Sequence, residues 1–388
     1  MQVSPLDCMG CGVCATVCPV KDGGAIKMIP LAESLEQGED KNWEFTVELP
    51  DVDTSKFKVN TVKGCQFATP LFEFSGACAG CGETPYVKVV TQLFGEDMVI
   101  ANATGCSSIY GGSSPTCPYT TNKQGRGPAW ANSLFEDNAE FGYGMNLAYT
   151  ARRNAVKAKV EKLAALWSGE GKKVCEDYLA AFGDREPSKK ASAELLKVLE
   201  QCKDCGCEAD ALVAEILADK DCLAKKSIWI FGGDGWAYDI GYGGLDHVLA
   251  SGEDVNVLVL DTEVYSNTGG QASKSTNVGA VAKFAAAGKR VKKKDLGMIA
   301  KSYGYVYVAQ VAMGSSPVQL LKALTEAEAY HGPSLIIAYS PCINHGINMT
   351  KSQLEQKAAV DCGYWQLYRY NPDGEKFTLD SKEPTGDY

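Results

Sequence analysis

The chain contains the stretch SIWIFGGDGW at residues 227–236, which decides the fold. Its first half is a continuous apolar run rich in strand-forming residues, and its second half is a glycine-rich turn around Asp234. An apolar strand without a polar face predicts a parallel sheet that helices cover on both sides. In such a sheet the turn would place backbone N–H groups and a carboxylate at the carboxyl end of the strand, where ligands bind.

Further apolar runs of the same kind alternate with stretches of helical periodicity. This alternation predicts an α/β fold with a doubly wound, mostly parallel sheet. We expect helices at Thr84–Phe94 and Ser133–Ser168, a polar helical insertion at about residues 152–225, and a strand-like piece at Trp43–Leu49. The expected buried strands are Met98–Ala103, Ile228–Phe231, Val255–Leu260, Val306–Val311 and Ser334–Tyr339.

Composition narrows the class of protein. The chain has 388 residues, 45% of them apolar, and a net charge of −10, which is ordinary for a globular protein and unlike a nucleic-acid-binding surface. It has no run of 18 apolar residues and no charged-apolar leader, so we expect no membrane span and a location in the cytoplasm or a reducing organelle. Several of the sixteen cysteines form C-x-x-C pairs, which indicate metal or iron–sulfur ligation.

A ferredoxin-type cysteine run opens the chain. Cys8, Cys11, Cys14 and Cys18, followed by Pro19, form the C-x2-C-x2-C-x3-C-P pattern that binds 4Fe–4S clusters in bacterial ferredoxins. In two-cluster ferredoxins the fourth cysteine of each run ligates the other cluster. This chain has a single run, so we hypothesise that a first run lies upstream, on a further segment or on a separate subunit.

The turn at Asp234 also resembles the thiamine pyrophosphate motif. The next apolar run ends in DTEVYSNTGG at residues 261–270, and this Asn-containing turn corresponds to the second half of the motif. In proteins with the motif, the two turns hold Mg²⁺ against the diphosphate, because Mg²⁺ prefers hard oxygen ligands. The resemblance assigns Asp234 as the carboxylate ligand, Thr262 as the side-chain ligand and Val264 as a backbone carbonyl ligand.

A third group of cysteines lies in separate loops. Cys78 and Cys81 form a C-x-x-C pair, and Cys106 and Cys342 each follow an expected strand. Loops at the carboxyl ends of parallel strands share one edge of a sheet, so four thiolates could converge there. Such a group suits either a 4Fe–4S cluster or tetrahedral zinc, and spacing does not choose between them.

Longer stretches of the chain resemble the pyruvate:ferredoxin (flavodoxin) oxidoreductase family. They are EFSGACAGCGETPY at residues 73–86, the segments 119–123 and 125–138, and the region around 265–273. The resemblance extends over nearly the whole chain and corresponds to the C-terminal portion of the family enzyme. The implied domains are a partial ferredoxin-like 4Fe–4S segment at residues 1–30, a connecting arm at 31–65 and a thiamine pyrophosphate-binding domain at 66–388.

The same resemblance implies roles for individual residues. It implies that the site nearest thiamine holds a 4Fe–4S cluster and not zinc. The implied ligands of this cluster are Cys78, Cys81, Cys106 and Cys342. The expected catalytic residues are Asn267, Glu83 and Cys106. The expected cofactor-binding residues are Glu83, Cys106, Gly233, Asp234, Gly235, Trp236, Thr262, Glu263, Val264, Tyr265, Ser266 and Asn267.

The implied activity is the oxidative decarboxylation of pyruvate to acetyl-CoA and CO2, with electrons passing through 4Fe–4S clusters to ferredoxin or flavodoxin. The implied cofactors are thiamine pyrophosphate, Mg²⁺ and 4Fe–4S clusters. The implied partners are pyruvate, coenzyme A, upstream domains or subunits, and a second copy of the complete enzyme; no nucleic acid and no membrane are expected. The alternatives are another 2-oxoacid substrate, an electron-transfer module with a vestigial thiamine site, and a non-redox thiamine decarboxylase.

Two further features of the sequence have more than one interpretation. Cys202, Cys205 and Cys207 form a close group in the expected insertion, and we interpret them as free thiols with metal binding as the alternative. His345 lies near Cys342 and is interpreted either as an ordinary loop histidine or as a residue that tunes a cluster by hydrogen bonding.

Overall fold

A computed structural model describes residues 2–20, 24–113, 116–203 and 206–386 of the chain. The strands are β1 Met98–Ala103, β2 Ala129–Ser133, β3 Ser227–Gly233, β4 Asn256–Asp261, β5 Val264–Tyr265, β6 Gln271–Ala272, β7 Tyr307–Val311, β8 Ser334–Tyr339, β9 Tyr368–Asn371 and β10 Lys376–Leu379. The helices are α1 Val13–Thr16, α2 Leu31–Glu36, α3 Glu39–Glu48, α4 Val62–Cys65, α5 Thr84–Phe94, α6 Cys106–Ser108, α7 Asn138–Leu166, α8 Gly169–Ala180, α9 Arg185–Gln201, α10 Asp210–Ala218, α11 Tyr242–Ala250, α12 Leu296–Lys301, α13 Pro317–Ala329 and α14 Ser352–Asp361. Short 3-10 or π turns cover Thr54–Lys56, Gly95–Asp97, Ile109–Ser113, Lys220–Cys222, Gly235–Ile240, Ile343–His345, Met349–Lys351 and Pro372–Gly374.

One large sheet organises the described residues. Its eight strands follow the order β10-β9-β7-β8-β4-β3-β1-β2. The pairs from β7 to β2 are parallel, whereas the C-terminal hairpin of β9 and β10 is antiparallel and adds to one edge. Strands β1, β4 and β8 are buried along their whole length because helices cover both faces. The prediction of an α/β fold with a doubly wound, mostly parallel sheet is therefore confirmed.

Each face of the sheet packs into its own hydrophobic core. Successive residues of a strand point to opposite faces, so Val99 and Ala101 of β1 enter one core and Ile100 enters the other. Helix α7 lies directly on the first face, since a Cβ placed on Gly142 would be 2.5 Å from Ile230 Cγ1. A glycine at this contact lets the helix backbone approach the central strands more closely than any other residue would allow.

The helices between β2 and β3 build a third core away from the sheet. The second half of α7 packs against α8, α9 and α10 through buried residues such as Leu163, Tyr178 and Leu195. The Tyr178 hydroxyl donates a hydrogen bond of 3.1 Å to the carbonyl of Leu223, which ties this unit to the chain entering β3. No helix in the described ranges is long and apolar enough to cross a membrane.

Two expectations about local structure are wrong. The strand-like piece at Trp43–Leu49 lies almost entirely in helix α3, which begins with the acidic residues Glu39 and Asp40. Acidic residues in the first turn stabilise a helix, and no strand of the described chain pairs with this segment. The helix expected at Ser133–Ser168 begins only at Asn138, because Ala129–Ser133 forms the edge strand β2, whose partly exposed, mixed sequence carries no strand pattern.

A buried carboxylate at the amino-terminal end of β3 joins the helical unit to the sheet. Glu328 Oε2 accepts hydrogen bonds from Ser227 Oγ at 2.7 Å and Asn256 Nδ2 at 3.1 Å, and Glu328 Oε1 lies 3.7 Å from Arg185 Nε. Burial raises the pKa of Glu328 from 4.5 to about 7, because the Arg185 guanidinium and these hydrogen bonds only partly offset the loss of solvation.

This raised pKa predicts a pH-dependent stability. The folded state binds the Glu328 proton more tightly than the unfolded state, so the stabilisation is complete below pH ~4.5 and is lost as pH rises through ~7, by about 3 kcal/mol. We expect Glu328→Gln to reduce this loss of stability, measured by urea unfolding at pH 5 and pH 8. The exposed Glu200→Gln serves as the control, and an unchanged pH dependence in Glu328→Gln would contradict the assignment.

Candidate functional site

Four neighbouring strands end at the same edge of the sheet. The loops that follow β1, β3, β4 and β8 begin there, because these strands are adjacent and parallel. The first three loops and the residue preceding α5 enclose a cleft of about 210 Å³. Its lining residues are Glu83, Thr104, Gly105, Cys106, Ser107, Phe135, Gly233, Asp234, Gly235, Trp236, Val264, Tyr265, Ser266, Asn267 and Thr268.

Three oxygen atoms converge between the ends of β3 and β4. Thr262 Oγ1 lies 3.0 Å from Asp234 Oδ1 and 3.0 Å from the carbonyl oxygen of Val264. Burial, together with the nearby Asp261, raises the pKa of Asp234 well above its usual range. A carboxylate, a hydroxyl and a carbonyl form the hard ligand set that Mg²⁺ prefers, and a bound divalent cation would favour the ionised form of Asp234. The three residues with predicted magnesium roles thus lie together.

A second network of charges holds the turn after β4. Lys293 Nζ donates hydrogen bonds to Asp261 Oδ2 at 2.9 Å and to Glu263 Oε1 at 3.1 Å. The hydroxyl of Tyr364 donates to Glu263 Oε2 at 2.6 Å. Glu263 has a φ of +60°, an unfavourable conformation for a residue other than glycine. These contacts to its side chain compensate for that conformation and fix the backbone on both sides of Thr262.

Two side chains join the candidate magnesium ligands to their surroundings. Ser273 Oγ donates a hydrogen bond of 2.5 Å to Asp234 Oδ2. His345 Nδ1 accepts from the backbone N–H of Cys342 at 3.3 Å, so its Nε2 carries the proton and donates to the carbonyl of Thr262 at 2.7 Å. His345 therefore connects the loop of Cys342 with the turn after β4.

The glycines of the GGDG turn have different roles. A Cβ on Gly235 would lie 2.5 Å from the ring of Tyr265, so this position has no room for a side chain. A Cβ on Gly233 would meet only the carbonyl of Leu260, at 3.8 Å. Gly233 therefore leaves its backbone open to the cleft, as binding of a phosphate by backbone N–H groups requires.

The loop of Cys78 and Cys81 packs tightly against the loop of Cys342. The backbone N–H of Gly82 donates a hydrogen bond of 3.1 Å to the carbonyl of Pro341. A Cβ on Gly82 would lie 2.6 Å from Pro341 N, so only glycine permits this approach. The two loops are far apart in sequence, and this contact brings their cysteines to one side of the cleft.

Cys106 and Cys342 share polar neighbours. Cys106 Sγ lies 3.3 Å from Ser266 Oγ, and Asn344 Nδ2 donates to both Cys342 Sγ, at 3.5 Å, and the carbonyl of Ser266, at 3.3 Å. The Asn267 side chain is close enough to lower the pKa of Cys106 slightly, but burial dominates and raises that pKa to about 12. The two loops therefore present their thiols across Ser266.

We call the group of Cys78, Cys81, Cys106 and Cys342 the proximal cysteine group. Its members are close enough to affect one another's pKa. Burial is the main cause of the raised pKa of Cys81, Cys106 and Cys342, and a neighbouring cysteine adds to each shift: Cys106 to that of Cys81, Cys342 to that of Cys106 and Cys78 to that of Cys342. No group of three metal-binding side chains in the described ranges already lies at ligating distance. Cys78 is exposed, so its side chain can turn toward the others without unpacking the core.

Glu83 is the one carboxylate in the cysteine side of the cleft lining. It is 4% exposed, and burial raises its pKa to about 7, while the nearby Tyr110 hydroxyl lowers it slightly. Neither Glu83 Oε2 nor the Tyr110 hydroxyl makes a hydrogen bond of normal geometry within the described residues. A buried carboxyl oxygen without a partner can accept a hydrogen bond from a bound ligand.

The ferredoxin-type run of Cys8, Cys11, Cys14 and Cys18 lies around the short helix α1. Cys8 and Cys14 are exposed, and the other two are half-buried. Backbone N–H groups of Ala25 and Val20 lower the pKa of Cys18, which favours the thiolate form needed for metal ligation. Of the other close group, Cys202 is half-buried and Cys207 is exposed, and Cys205 lies outside the described residues.

Comparisons with known proteins identify the domains and the enzymes that this chain resembles. Residues 207–338 match the model of the C-terminal TPP-binding domain of thiamine pyrophosphate enzymes, and residues 1–21 match the 4Fe-4S binding domain. The chain is 62% identical, over 395 aligned residues and 100% of its length, to pyruvate:ferredoxin oxidoreductase of Moorella thermoacetica, of which it covers 34%. It is 55% identical, over 99% of its length, to pyruvate-flavodoxin oxidoreductase of Klebsiella pneumoniae, of which it covers 33%.

The resemblance to the pyruvate:ferredoxin (flavodoxin) oxidoreductase family is confirmed. The predicted thiamine pyrophosphate and 4Fe–4S classes of cofactor are confirmed at the level of these domains. The chain spans about a third of the length of the curated oxidoreductases that it matches. A more distant likeness, with 14% identity and a TM-score of 0.42, covers 76% of this chain and 70% of a 2-oxoglutarate:ferredoxin oxidoreductase structure from Magnetococcus marinus.

Sequence reasoning did not identify every residue that shapes the site. Lys293 and Ser273 contact the carboxylates around the turn, yet both lie in an irregular segment with no recognisable motif. Their only signal in the sequence is indirect, because two acidic residues separated by Thr262 at the end of a buried strand require a cation or hydroxyl donors nearby. The predicted residues Asp234, Thr262, Val264, Glu83, Cys106 and Asn267 all lie in or beside the cleft.

Proposed function

We propose that this chain supplies the thiamine pyrophosphate site and the first electron acceptor of an enzyme that converts pyruvate to acetyl-CoA and CO2. Electrons would leave through 4Fe–4S clusters to ferredoxin or flavodoxin. One observation supports this above all others: the oxygen ligands at Asp234, Thr262 and Val264 and the thiol of Cys106 border the same cleft. A decarboxylase that delivers electrons to 4Fe–4S clusters needs its cofactor beside a one-electron acceptor, and this arrangement supports such a role.

The diphosphate and its cation would bind where β3 and β4 end. Asp234, Thr262 and Val264 would hold Mg²⁺ through a carboxylate oxygen and a carbonyl oxygen that each already lie 3.0 Å from Thr262 Oγ1. The open backbone at Gly233 would face the phosphates. Lys293 would keep the turn in place by pairing with Asp261 and Glu263, and its single positive charge would partly offset the carboxylates near the negative diphosphate.

The electron acceptor would be a 4Fe–4S cluster held by the proximal cysteine group. When bound, thiamine pyrophosphate supplies the electron sink for loss of CO2, and the chain's own residues orient the reactants and exclude water. Glu83 would hold a proton or accept a hydrogen bond on the cysteine side of the cleft. Asn267, which lines the cleft near Cys106, would position the substrate.

The rest of the reaction would involve further polypeptide. A cleft of about 210 Å³ is smaller than most small-molecule sites, so a second wall is expected to complete it. We propose that the additional length found in the relatives provides this wall, the coenzyme A site and the second ferredoxin-type run. The complete enzyme would act as a homodimer in the cytoplasm or in a reducing organelle.

Calorimetry of thiamine pyrophosphate binding, with and without Mg²⁺, tests the proposal. We expect saturable binding with one cofactor per chain in the presence of Mg²⁺, and weaker binding by at least tenfold after chelation, because the carboxylate and the diphosphate would then repel each other. Pyruvate-dependent reduction of a viologen dye, compared with other 2-oxoacids, tests the substrate. The absence of thiamine pyrophosphate binding would favour an electron-transfer module with a vestigial site.

A further inference from the structure

One short turn touches both cysteine-containing regions. Met349–Lys351 forms a 3-10 turn after the loop of Cys342. Thr350 Oγ1 donates a hydrogen bond of 3.1 Å to the carbonyl of Cys11 in the ferredoxin-type run. A Cβ placed on Gly12 would lie 3.2 Å from Thr350 Cγ2. The side chain of Thr350 therefore packs against the backbone between Cys11 and Cys14.

The same turn packs against the proximal cysteine group. A Cβ on Gly80, which lies between Cys78 and Cys81, would be 2.5 Å from the carbonyl oxygen of Met349 and 2.9 Å from its Cβ. Gly80 and Gly12 have nearly equal φ angles of +77° and +75°, a region that favours glycine. Both C-x-x-C loops thus use a left-handed glycine to approach consecutive residues of one turn.

The turn itself is firmly held. Asn348 Oδ1 accepts a hydrogen bond of 3.1 Å from the backbone N–H of Thr350, and the Lys351 N–H donates to the Asn348 carbonyl at 2.8 Å. Met349 is 9% exposed. Helix α14 follows directly, and its Gln356 Oε1 accepts hydrogen bonds from Tyr86 and from the backbone N–H of Gly314. A rigid element between two loops can fix the distance between them.

We propose that Met349 and Thr350 are positioning residues that set the separation between the cluster of the proximal cysteine group and the cluster of the ferredoxin-type run. This inference rests on the proposed function. An electron passing from the first cluster to the second would oxidise the first and reduce the second, without making or breaking a bond. The Thr350–Cys11 hydrogen bond and the Met349–Gly80 contact provide a short, continuous path between the two cysteine loops.

Substitutions at Thr350 test the proposal in the enzyme isolated with every polypeptide that accompanies this chain. Thr350→Ala removes both the hydroxyl and the methyl group, Thr350→Ser keeps the hydroxyl, and Lys351→Ala is the control on the exposed side of the same turn. Iron and sulfide content is measured first. Electron paramagnetic resonance then follows the spin–spin interaction between the two clusters after reduction with dithionite, which requires neither thiamine pyrophosphate nor pyruvate.

We expect Thr350→Ala to keep the iron content of the wild type but to lose most of the spin–spin interaction between the cluster of the proximal cysteine group and that of the ferredoxin-type run, while Thr350→Ser and Lys351→Ala retain it. In a second measurement, amide hydrogen exchange in residues 12–17 should speed up by as much as tenfold in Thr350→Ala, because one docking hydrogen bond is lost. This second measurement does not depend on the clusters.

The possible failures can be told apart. An unchanged spin–spin interaction together with unchanged hydrogen exchange in Thr350→Ala would overturn the proposal. Loss of iron from Thr350→Ala would also overturn it, because the turn would then retain a cluster and not set a distance. If the wild-type enzyme contains no iron–sulfur clusters, the proposed function fails, and this inference fails with it.

Discussion

Replacing Asp234 with Asn is expected to weaken thiamine pyrophosphate binding in the presence of Mg²⁺ by roughly a hundredfold or more. The carboxylate of Asp234 lies within 3.0 Å of the Thr262 hydroxyl and is buried, so its charge would interact with a cation at low effective dielectric. An amide keeps one oxygen for Thr262 but loses the negative charge. Calorimetry with the cofactor and Mg²⁺ measures the difference.

The same substitution should not destabilise the ligand-free protein. Burial and Asp261 raise the pKa of Asp234, so ionising this carboxyl is unfavourable in the absence of a cation. Asp246→Asn is a matched control, because Asp246 lies in helix α11 and accepts a hydrogen bond from Tyr303 outside the cleft. Unweakened cofactor binding by Asp234→Asn would show that the cation binds elsewhere.

The sequence predicts the edge of the sheet on which the site lies, because continuous apolar strands specify a parallel sheet and its ligand-binding edge. The turn after β3 and the turn after β4 follow such strands, so Asp234 and Thr262 could be placed without coordinates. Cys106 and Cys342 could be placed at strand ends for the same reason. Their assignment to one cluster came from the family resemblance, since thiol spacing alone fits zinc equally well.

The contacts that hold these residues in place could not be predicted. Lys293 donates hydrogen bonds to Asp261 and Glu263 from an irregular segment, where no hydrophobic period fixes the position of a side chain. The turn at Met349 and Thr350 carries no motif, and its contacts with Gly12 and Gly80 depend on the tertiary fold. At Trp43–Leu49 the sequence instead predicts a strand-like piece that the structure does not contain in these described residues. An alternating pattern in a short segment predicts a strand only where a neighbouring strand can pair with it.

The second large effect is expected from a substitution of Cys106, which is the first residue of α6 after β1 and borders the cleft. Cys106→Ser should remove the 4Fe–4S cluster of the proximal cysteine group, about four iron atoms per chain. It should also abolish pyruvate-dependent reduction of a viologen dye. A serine hydroxyl is a poor ligand for iron–sulfur clusters, but it is close to the thiol in size and can keep the contact with Ser266 Oγ, now 3.3 Å from the sulfur.

The Cys106→Ser variant should therefore lose the cluster but still bind thiamine pyrophosphate. Thiamine pyrophosphate binding with Mg²⁺ should remain within a few-fold of the wild type, because the oxygen ligands at Asp234 and Thr262 bond to each other, whereas the neighbour of the Cys106 thiol is Ser266 Oγ. Cys362→Ser is the matched control, since Cys362 is half-buried at the end of α14 and bonds only locally to the carbonyl of Ala359. A Cys106→Ser enzyme that keeps its full iron content and still reduces the dye would refute the assignment of the proximal cysteine group as the first electron acceptor.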